Sequence, residues 1–490
     1  MTQEIYDVAI IGAGVVGTAI ARELSRYQLS TVLLEANPDV GQGTTKANTA
    51  IWHTGYDAKN GTLEARLLRR SRALMEKFVP EAGVPVEMLG GVLVAWTEEQ
   101  RDRLPALRER AFKNGVTDVR ILSPEEVYEM EPNLQEGAWG GLYVPGESII
   151  CPFTLPLAFA TQAVLNGVEL KVNFPVRNVH LEEKEGTTVV ESEDESVRCR
   201  YLINAAGLYS DEIDGMLGHH DFTVTPRRGE LIVFDKFARS LINHVILPVP
   251  TPLTKGVLIS PTVYGNVLLG PTAENLDDKT NTATSEAGLQ TLLEKGRAIL
   301  PALLEEEVTA TYAGLRAATE HSDYQIRLHA DQRYVCVGGI RSTGVSSCMG
   351  IAEHVRELLE QAGVTMVPKP TFKPVKMPYI GEAGQRPYRN PAMIAENPDY
   401  GRVICHCEKV TLGEILDAIH SPVPARTLDG IRRRTRVMQG RCQGFNCRAT
   451  IVDILARETG QDPKFLLAQD DKARAGMNPH PQSSRGEGAK

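Results

Sequence analysis

Two short apolar runs flank a glycine-rich helix start at the N-terminus. Val8 to Ile11 is typical of a buried strand, and Thr31 to Leu34 is a second run of the same kind. Between them the chain reads G-x-G-x-x-G, with glycines at 12, 14 and 17, where a helix is expected to begin. The second run ends in Glu35. This order predicts a βαβ unit that binds a dinucleotide.

The three glycines have separate predicted roles. Gly12 makes the tight turn, Gly14 lets the backbone approach a pyrophosphate, and Gly17 lets the helix lie close to the strand. The phosphates are expected at the helix N-terminus, where N–H groups and the helix dipole favour negative charge. Glu35 is placed to accept hydrogen bonds from an adenosine ribose. Its charge should repel the 2′-phosphate of NADP.

Helical and strand patterns continue to alternate through the next 300 or so residues. The helical patterns cover residues 63–78, 98–114, 152–164 and 342–359. A further helix starts at Ser123, with Pro124 in its first position. The strand patterns cover residues 90–96, 168–179, 187–191, 201–207 and 334–339. The alternation predicts a nucleotide-binding α/β sheet that is interrupted by insertions.

Residues 222–318 are richer in β-type residues and turns. Strand candidates are 231–234, 256–260, 266–270 and 307–315. Together with residues 85–96, this region is expected to form a second, antiparallel domain over the nucleotide site. Residues 371–399 are rich in Pro, Asn and Gly and predict a linker or a wrapping arm. Residues 477–490 are polar, with Pro and Ser, and predict disorder.

Composition narrows the class of protein. A chain of 490 residues should divide into two or three domains, and 42% hydrophobic with 23% charged residues is ordinary for a globular protein. The net charge of −9 argues against nucleic acid as a partner. No apolar run approaches the roughly 18 residues that a membrane span needs. We expect a cytoplasmic protein that reaches a membrane only through a partner.

Four of the eight cysteines crowd the C-terminal part. Cys405-x-Cys407 is followed by 34 residues and then by Cys442-x4-Cys447. Four thiolates from two loops suit zinc or a [2Fe-2S] cluster, so ligand type alone leaves both open. The C-x-C spacing is unusual for a zinc knuckle, and a dinucleotide-binding domain alongside could provide a source of electrons; both points favour iron and sulfur. The simplest interpretation of the neighbouring run of arginines at 432, 433, 434 and 436 is a solvent-exposed face. Close to an anionic cluster, these arginines could also raise the reduction potential of the cluster or bind an acidic partner.

Several motifs together resemble a known family. GAGVVG with Glu35, INAAGLYS, TPRRGE, YAGLRA and GGIRSTGVSS resemble the FAD-dependent oxidoreductases that include glycerol-3-phosphate dehydrogenase, L-2-hydroxyglutarate oxidase and D-amino-acid oxidase. CHCEKVTLGEI and RRRTRVMQGRCQGFNC resemble the [2Fe-2S] domain of bacterioferritin-associated ferredoxin. The order of the two is similar to that in the large subunit of anaerobic glycerol-3-phosphate dehydrogenase. The middle motifs look closer to the 2-hydroxyglutarate branch.

The resemblance implies a domain plan. Residues 1–370 form an α/β FAD-dependent oxidoreductase domain, with Rossmann-like FAD-binding parts at about 1–80, 140–220 and 320–365. The inserted antiparallel-sheet substrate domain comprises about 81–139 and 221–319. An arm at 371–400 leads to a small helical [2Fe-2S] domain at 401–470, and 471–490 is a disordered tail.

The resemblance also implies which residues bind the cofactors. Ala205 and Gly207 would lie against the dinucleotide, and Val176 would meet the adenine through its backbone. The GGIRSTG segment would place helix N–H groups at a flavin carbonyl and stabilise the reduced ring. The full FAD set is Gly12, Gly14, Gly17, Glu35, Ala36, Thr44, Thr45, Val176, Ala205, Gly207, Gly339, Thr343, Gly344 and Val345. The cluster ligands are Cys405, Cys407, Cys442 and Cys447.

His53, Arg316 and Arg341 are the candidate catalytic residues. Oxidation of a secondary alcohol needs a base for the hydroxyl proton, and a histidine suits this near neutral pH. An arginine offers a bidentate fork for a carboxylate or phosphate. His53 falls where the family places residues that face the flavin, although a histidine after Trp52 is also commonly structural. Arg316 falls in a similar place, and Arg341 could instead be held in a structural ion pair.

The sequence therefore predicts an FAD-dependent dehydrogenase of a small anionic hydroxy compound, either glycerol 3-phosphate or a short 2-hydroxy acid. Electrons would pass through the [2Fe-2S] cluster to a protein acceptor, such as a second flavoprotein or a membrane-associated iron–sulfur subunit, and the two could form a hetero-oligomer. One alternative is an amino-acid or amine dehydrogenase of the same superfamily. Another is a non-catalytic electron-transfer or redox-sensing module.

Overall fold

The computed structural model describes residues 5–182, 186–250 and 256–474. The helices of these residues are α1 (Val15–Leu24), α2 (Leu63–Ala82), α3 (Glu98–Lys113), α4 (Pro124–Met130), α5 (Thr154–Leu165), α6 (Ser210–Met216), α7 (Glu286–Ile299), α8 (Gly344–Gln361), α9 (Pro391–Glu396), α10 (Leu412–His420), α11 (Leu428–Thr435), α12 (Arg448–Thr459) and α13 (Pro463–Arg474).

The strands are β1 (Ile5–Ile11), β2 (Thr31–Leu34), β3 (Ile51–Trp52), β4 (Val86–Glu87), β5 (Gly91–Val94), β6 (Arg120–Leu122), β7 (Gly141–Val144), β8 (Ser148–Ile150), β9 (Glu169–Lys171), β10 (Asn178–Glu182), β11 (Thr187–Glu191), β12 (Ser196–Asn204), β13 (Thr225–Phe234), β14 (Val245–Pro248), β15 (Leu258–Pro261), β16 (Val267–Gly270), β17 (Glu274–Asn275), β18 (Val308–Ala318), β19 (Gln325–His329), β20 (Tyr334–Gly338), β21 (Val403–Cys405) and β22 (Val410–Thr411).

The first sheet is the predicted nucleotide-binding sheet. Its order is β10-β11-β12-β1-β2-β9, with β20 also beside β12 and β19 beside β20. Strand β1 lies between β2 and β12, parallel to both, and Ile10 pairs with Leu33 on one side and Ile203 on the other. These side chains are buried because helix α1, which packs against α5 and α8, covers the sheet. The predicted α/β fold is confirmed.

The second sheet has nine strands in the order β17-β13-β16-β15-β14-β5-β7-β6, with β18 also paired to β13. It is antiparallel as expected, except that β14 runs parallel to β5. Strand β7, at Gly141–Val144, belongs to this sheet and not to the FAD-binding part that was expected to resume at 140. A small sheet of β3, β8 and β4 connects the two regions.

The expected strand over residues 168–179 is interrupted. Strand β9 ends at Lys171, and Asn173 has a left-handed backbone, with φ of 57°. The amide of Asn173 donates to the Asn37 carbonyl, and that of Phe174 donates to the Glu35 carbonyl. The segment therefore turns beneath the end of β2 before β10 begins. A loop therefore stands here in place of the middle of the expected strand, and it lines one end of a cavity.

Residues 371–400 contact several parts of the molecule. The amide of Met377 donates to the carbonyl of Ala82 at the end of α2, and that of Glu382 donates to Val263 in the second domain. These contacts are those of a wrapping arm, although α9 gives it more regular structure than its composition suggested. Residues 471–474 of the expected tail form the last turn of α13, and residues 475–490 lie outside the described residues.

Helices α10 to α13 enclose a separate core at the C-terminus, built around residues such as Ile415, Ile431 and Ile451. This small domain is joined to the first sheet by a buried ion-pair cluster. Both oxygens of Asp39 accept from Arg434, at 2.6 and 2.8 Å, and Arg433 donates to Asp39 Oδ2 at 2.7 Å.

The arginine run is therefore not a solvated face, and that expectation was wrong. Arg433, Arg434 and Arg436 are 5%, 8% and 6% exposed. Arg433 also donates to the Val40 carbonyl at 2.7 Å, and Arg432 pairs with Asp470 at 2.8 Å. Buried guanidinium groups need carboxylate partners, and Asp39 belongs to a different domain. Asp39 lies almost 400 positions before the arginines in the sequence, so the sequence pattern did not reveal the pairing.

No helix within the described ranges is both long enough and apolar enough to cross a bilayer.

The Asp39 cluster generates a test of how the C-terminal domain is held. Burial of Asp39 disfavours its charge, but Arg434 and Arg433 outweigh this and lower its pKa. Asp39→Asn leaves the buried Arg434 without a carboxylate and Arg433 with Asp429 alone, so we expect a loss of about 3–5 kcal/mol of docking stability. Two measurements test this loss. Compared with the parent, the variant should be cleaved faster by protease within residues 371–400, and its cluster absorbance should be lost at a lower urea concentration.

The matched control is Asp102→Asn, which removes an exposed partner of Arg101 and should change stability by no more than about 0.5 kcal/mol. Because the folded-state pKa of Asp39 is depressed, its contribution is complete above about pH 4 and is lost as the pH falls further. Equal urea transitions for Asp39→Asn and the parent would contradict this account.

Candidate active site

A cavity of about 690 Å³ runs between the first sheet and the second domain. Its walls come from the β1–α1 turn, the loop after β2, the segment after β12, the start of α8 and the facing strands β13 and β18. Ligand sites of this size are commonly found where two domains meet. The cavity joins residues that lie up to 334 positions apart, from Ile11 to Val345.

The glycine turn has the predicted geometry. Gly12 has φ of +97°, and a Cβ atom there would lie 2.5 Å from the Ala205 carbonyl oxygen. A Cβ on Gly17 would lie 1.8 Å from the Gly12 carbonyl oxygen, so this glycine serves helix packing. Gly14 is the N-cap residue of α1 and lines the cavity. Because glycine has no side chain, it makes no capping hydrogen bond to the first N–H groups of the helix. The arrangement fits a pyrophosphate at the helix N-terminus.

Glu35 lies at the end of the cavity where the sequence predicts the adenosine. Its carboxylate accepts from the amide of Ala13 at 2.8 Å and from the backbone and side-chain nitrogens of Asn37 at 2.9 and 2.7 Å. The side chain is 7% exposed, and burial raises its pKa even though these hydrogen bonds oppose the shift. An ionised carboxylate has about four acceptor positions, which leaves capacity for a ribose hydroxyl.

Most of the predicted FAD-binding residues meet at this cavity. Those that line it are Gly12, Gly14, Glu35, Ala36, Thr44, Thr45, Val176, Ala205, Gly207, Thr343, Gly344 and Val345. Gly17 and Gly339 are absent from the lining. Gly339, with φ of +67°, instead turns the chain after β20. Thr45 has a second role, because its hydroxyl accepts from the amide of Val15 at 3.0 Å and so ties the loop after β2 to helix α1.

Helix α8 directs its N-terminus toward the cavity. Its N-cap, Thr343, makes no capping hydrogen bond with its side chain, and Gly344 and Val345 line the cavity. The Thr343 hydroxyl instead donates to Glu64 at 2.7 Å. Arg341 also pairs with Glu64, at 3.1 Å, and donates to the Ser322 carbonyl at 2.7 Å. Arg341 thus lines the cavity but is held in an ion pair.

His53 lies in the cavity wall beside an acid that the sequence analysis missed. Its Nδ1 is 2.7 Å from Oε2 of Glu147, whose side chain is fully buried. The other carboxylate oxygen of Glu147 accepts from the amide and hydroxyl of Thr54, at 2.6 and 2.9 Å. These contacts favour the tautomer in which Nδ1 donates to Glu147, so that Nε2 carries the lone pair of a neutral imidazole.

Arg316 and Arg227 face the same cavity from adjacent strands. They are directly paired in the register of β13 and β18. Arg316 donates only to the Thr272 carbonyl, at 3.3 and 3.4 Å, and within the described residues neither arginine has a carboxylate partner. Burial, followed by repulsion from Arg227, lowers the pKa of Arg316 to about 10. The pair forms a cationic site whose counter-charge would have to come from a ligand.

Gly229 makes room for this arrangement. A Cβ atom at Gly229 would lie 2.5 Å from Nη2 of Arg316. The TPRRGE motif therefore supplies both Arg227 and the space for Arg316. The motif was visible in the sequence, but the contribution of Arg227 to the site was not anticipated.

The four C-terminal cysteines come together as two hydrogen-bonded pairs, Cys405 with Cys447 and Cys407 with Cys442. The Cys447 thiol donates to Cys405 and lowers its pKa to about 6, whereas the pKa of Cys447 is raised. The Met438 amide donates to both Cys405 and Cys447. Backbone donors to sulfur are typical of the surroundings of iron–sulfur clusters.

Two pairs of thiols suit a cluster in which each of two irons takes two thiolates. Within the described part of the chain, no three Cys, His, Asp or Glu side chains converge on a single-ion site. The close-packed glycine turn and the lining of the cavity fit FAD. The two cysteine pairs fit a [2Fe-2S] cluster.

Comparisons with known proteins agree with both assignments. Residues 7–358 match the DAO family, described as FAD dependent oxidoreductase. Residues 403–457 match the BFD-like [2Fe-2S] binding domain. The chain is 39% identical to a glycerol 3-phosphate dehydrogenase of Caloramator mitchellensis over 93% of this chain and 95% of the relative.

Two further similarities cover the oxidoreductase part. The solved structure of L-alpha-glycerophosphate oxidase from Mycoplasma pneumoniae with FAD bound aligns with a TM-score of 0.73 at 30% identity, covering 77% of this chain and all of the other. Mitochondrial L-2-hydroxyglutarate dehydrogenase of Bos taurus is 31% identical over 55% of this chain and 61% of its own length. Both named activities act on hydroxy compounds.

Proposed function

Because this chain belongs to the FAD dependent oxidoreductase family and ends in a BFD-like [2Fe-2S] binding domain, we propose that it is a glycerol 3-phosphate dehydrogenase that delivers electrons to a separate protein. Its class is that of an FAD-dependent dehydrogenase acting on hydroxy compounds. The substrate, the site residues and the route of the electrons are the parts that we propose.

The observation that carries the substrate proposal is the Arg227–Arg316 pair. Two cations on adjacent strands repel one another, and burial adds to the cost of Arg316. A phosphate dianion would supply both missing charges on one group and could accept from both guanidinium groups. The two carboxylates of 2-hydroxyglutarate are separated by a carbon chain, so only one of them could lie between the arginines.

His53 is proposed as the base that removes the hydroxyl proton. Glu147 would position the ring by accepting from Nδ1, and it would stabilise the imidazolium once Nε2 has taken the proton. Thr54 holds Glu147 through two hydrogen bonds, so the carboxylate cannot readily turn away. This is a base oriented by a third group, as in other enzymes that use histidine for proton transfer.

When bound, FAD would supply a hydride acceptor for the alcohol carbon, and a [2Fe-2S] cluster held by the four cysteines would supply a one-electron carrier. The chain contributes the dipole of α8 at the cavity, which favours negative charge there. It also holds the C-terminal domain against the first sheet through Asp39 and the arginines. A fixed position for that domain supports its use as a relay.

The phosphate proposal predicts how substrates and Arg316 variants behave. We expect glycerol 3-phosphate to bleach the bound flavin far faster than glycerol or L-2-hydroxyglutarate. Arg316→Ala should lower kcat/KM by about 2–3 kcal/mol equivalent, because it removes charged hydrogen bonds to the substrate. Arg316→Lys should recover only part of this, because lysine lacks the bidentate fork.

Anaerobic stopped-flow spectroscopy measures these rates, and Arg101→Ala, at an exposed position, is the control. Equal rates with glycerol and glycerol 3-phosphate would rule out phosphate recognition. Reduction by amino acids but not by hydroxy compounds would instead favour an amine dehydrogenase, and no reduction by any of these compounds would favour a redox-sensing module.

Variants of His53 and Glu147 separate proton transfer from substrate binding. His53→Ala should slow flavin reduction at saturating glycerol 3-phosphate by about 10²–10⁴-fold, the usual contribution of a general base. Glu147→Gln should also slow it, but by less, because the neutral amide cannot stabilise the imidazolium. If His53→Ala reduces its flavin at the parental rate under saturating glycerol 3-phosphate, His53 is not the base.

The relay is tested by separating the two halves of turnover. Cys407→Ser should leave the rate of flavin reduction by glycerol 3-phosphate nearly unchanged and should block steady-state turnover with a one-electron acceptor. Cys199→Ser, at a buried position in β12 away from the cluster, is the matched control. Turnover with Cys407→Ser at the parental rate, or stoichiometric zinc in anaerobically prepared protein, would contradict the relay.

A further inference from the structure

The two cysteine pairs differ in exposure. Cys405 and Cys447 are 1% and 2% exposed, whereas Cys407 is exposed and Cys442 is partly exposed. One pair therefore faces the core of the C-terminal domain and the other faces solvent. The loops that carry them touch, since a Cβ on Gly440 would lie 2.5 Å from the Cβ of Cys407. The residues around Cys407 thus form one continuous surface.

Two aromatic side chains belong to this surface. Phe445, between Cys442 and Cys447, is 91% exposed. Phe237 from the second domain is 68% exposed, and the guanidinium of Arg441 lies 5.0 Å from its ring centre. Large apolar side chains grouped in solvent mark interaction sites more often than scattered ones do. Contributions from two domains mean that the surface exists only when the C-terminal domain is docked.

Within the two cysteine loops themselves, the ionisable groups that face solvent are basic, in contrast to the net charge of the whole chain. The acid of the two cysteine loops, Glu408, is buried and turned inward, where it pairs with Lys236 at 3.2 Å and Arg436 at 3.5 Å. The exposed charges of the loops are cationic or ionisable to cations: His406, Lys409 and Arg441. Arg441 is offset by Asp235 and Glu307, but Lys409 has no ion-pair partner among residues 5–182, 186–250 and 256–474.

We propose that Phe237, His406, Cys407, Lys409, Arg441 and Phe445 form an exit surface where an acidic one-electron carrier protein docks. This inference deepens the proposed function and rests on it. Each docked carrier takes one electron. Oxidation of one CH–OH group to C=O therefore reduces two oxidised carriers and releases two protons. On a chain with a net charge of −9, the basic groups of the cysteine loops would direct an acidic partner to the exposed cysteine pair.

An anionic membrane would also attract cations and exposed phenylalanines. The exit surface has fewer basic residues than the four to eight that typically mark a lipid-binding cluster, and one of them is already paired. Its position around Cys407 has a direct use for a carrier protein and none for a lipid headgroup. A carrier protein is therefore the occupant that the observations favour.

The test measures binding without electron transfer. The probe is plastocyanin, an acidic one-electron carrier, with zinc in place of its copper so that it cannot be reduced. Titrated into the holoenzyme at low salt, it should bind more tightly than basic cytochrome c, and added salt should weaken its binding. Lys409→Glu and Phe445→Ser should each weaken it by about fivefold.

The matched control is Lys464→Glu. Lys464 is exposed in the same domain, but it follows α12, whose 12 residues carry the chain about 18 Å away from Cys447. This control should leave the affinity unchanged. Equal effects of Lys409→Glu and Lys464→Glu, or tighter binding of cytochrome c than of plastocyanin, would overturn the proposal. Retained cluster absorbance in each variant shows that its fold is intact.

A second arm uses phosphatidylglycerol vesicles. If Lys409→Glu and Phe445→Ser abolish vesicle binding by the holoenzyme but leave the affinity for zinc plastocyanin unchanged, the surface binds membranes and the carrier proposal fails. Because the probe cannot be reduced, its binding does not depend on turnover. Failure of glycerol 3-phosphate to reduce the flavin would refute the proposed substrate and leave this binding result standing.

Discussion

The contact between Asp39 and the two arginines of α11 determines how the C-terminal domain sits on the nucleotide-binding sheet. Asp39 lies four residues after Glu35, so the loop that lines one end of the cavity also binds the C-terminal domain. A buried ion pair recovers little net stability, because both partners lose their hydration. Its strict geometry instead permits one docked arrangement, and a fixed arrangement is what electron transfer between two sites requires.

Whether a buried or partly buried arginine of this protein has a carboxylate partner distinguishes a structural arginine from a candidate substrate-binding one. Arg433 and Arg434 are buried with their carboxylate and complete a structural contact. Arg316 is partly buried beside Arg227 without one, and desolvation together with repulsion from Arg227 lowers its pKa. An unpaired buried charge is costly in the ligand-free protein. We interpret this cost as the source of affinity for an anionic substrate, since the substrate removes it on binding.

The same logic applies to the acids. Glu147 is fully buried and accepts from His53 and Thr54, so its charge is directed at one ring nitrogen. Glu64 holds Arg341 and Thr343 at the start of α8, and Glu408 draws Lys236 and Arg436 inward beside the cysteines. Each of these acids thus orients cationic or polar groups of a different chain segment, which links the cavity, the second domain and the cysteine site.

The sequence by itself determined the features that depend on local geometry. The positive φ of Gly12, the close contact at Gly17 and the acid at the end of β2 are set by neighbouring residues, so their spacing was enough to predict the nucleotide turn. The same holds for the C-x-C and C-x4-C spacing and for most helix limits.

Tertiary structure alone decided the rest, because it depends on partners distant in the chain. Such features are the burial of the arginine run by Asp39, the pairing of His53 with Glu147, the placing of Arg227 opposite Arg316, and the break in the expected 168–179 strand beneath Glu35. A residue type and its spacing define which contacts a side chain can make, and the fold selects which partner it meets.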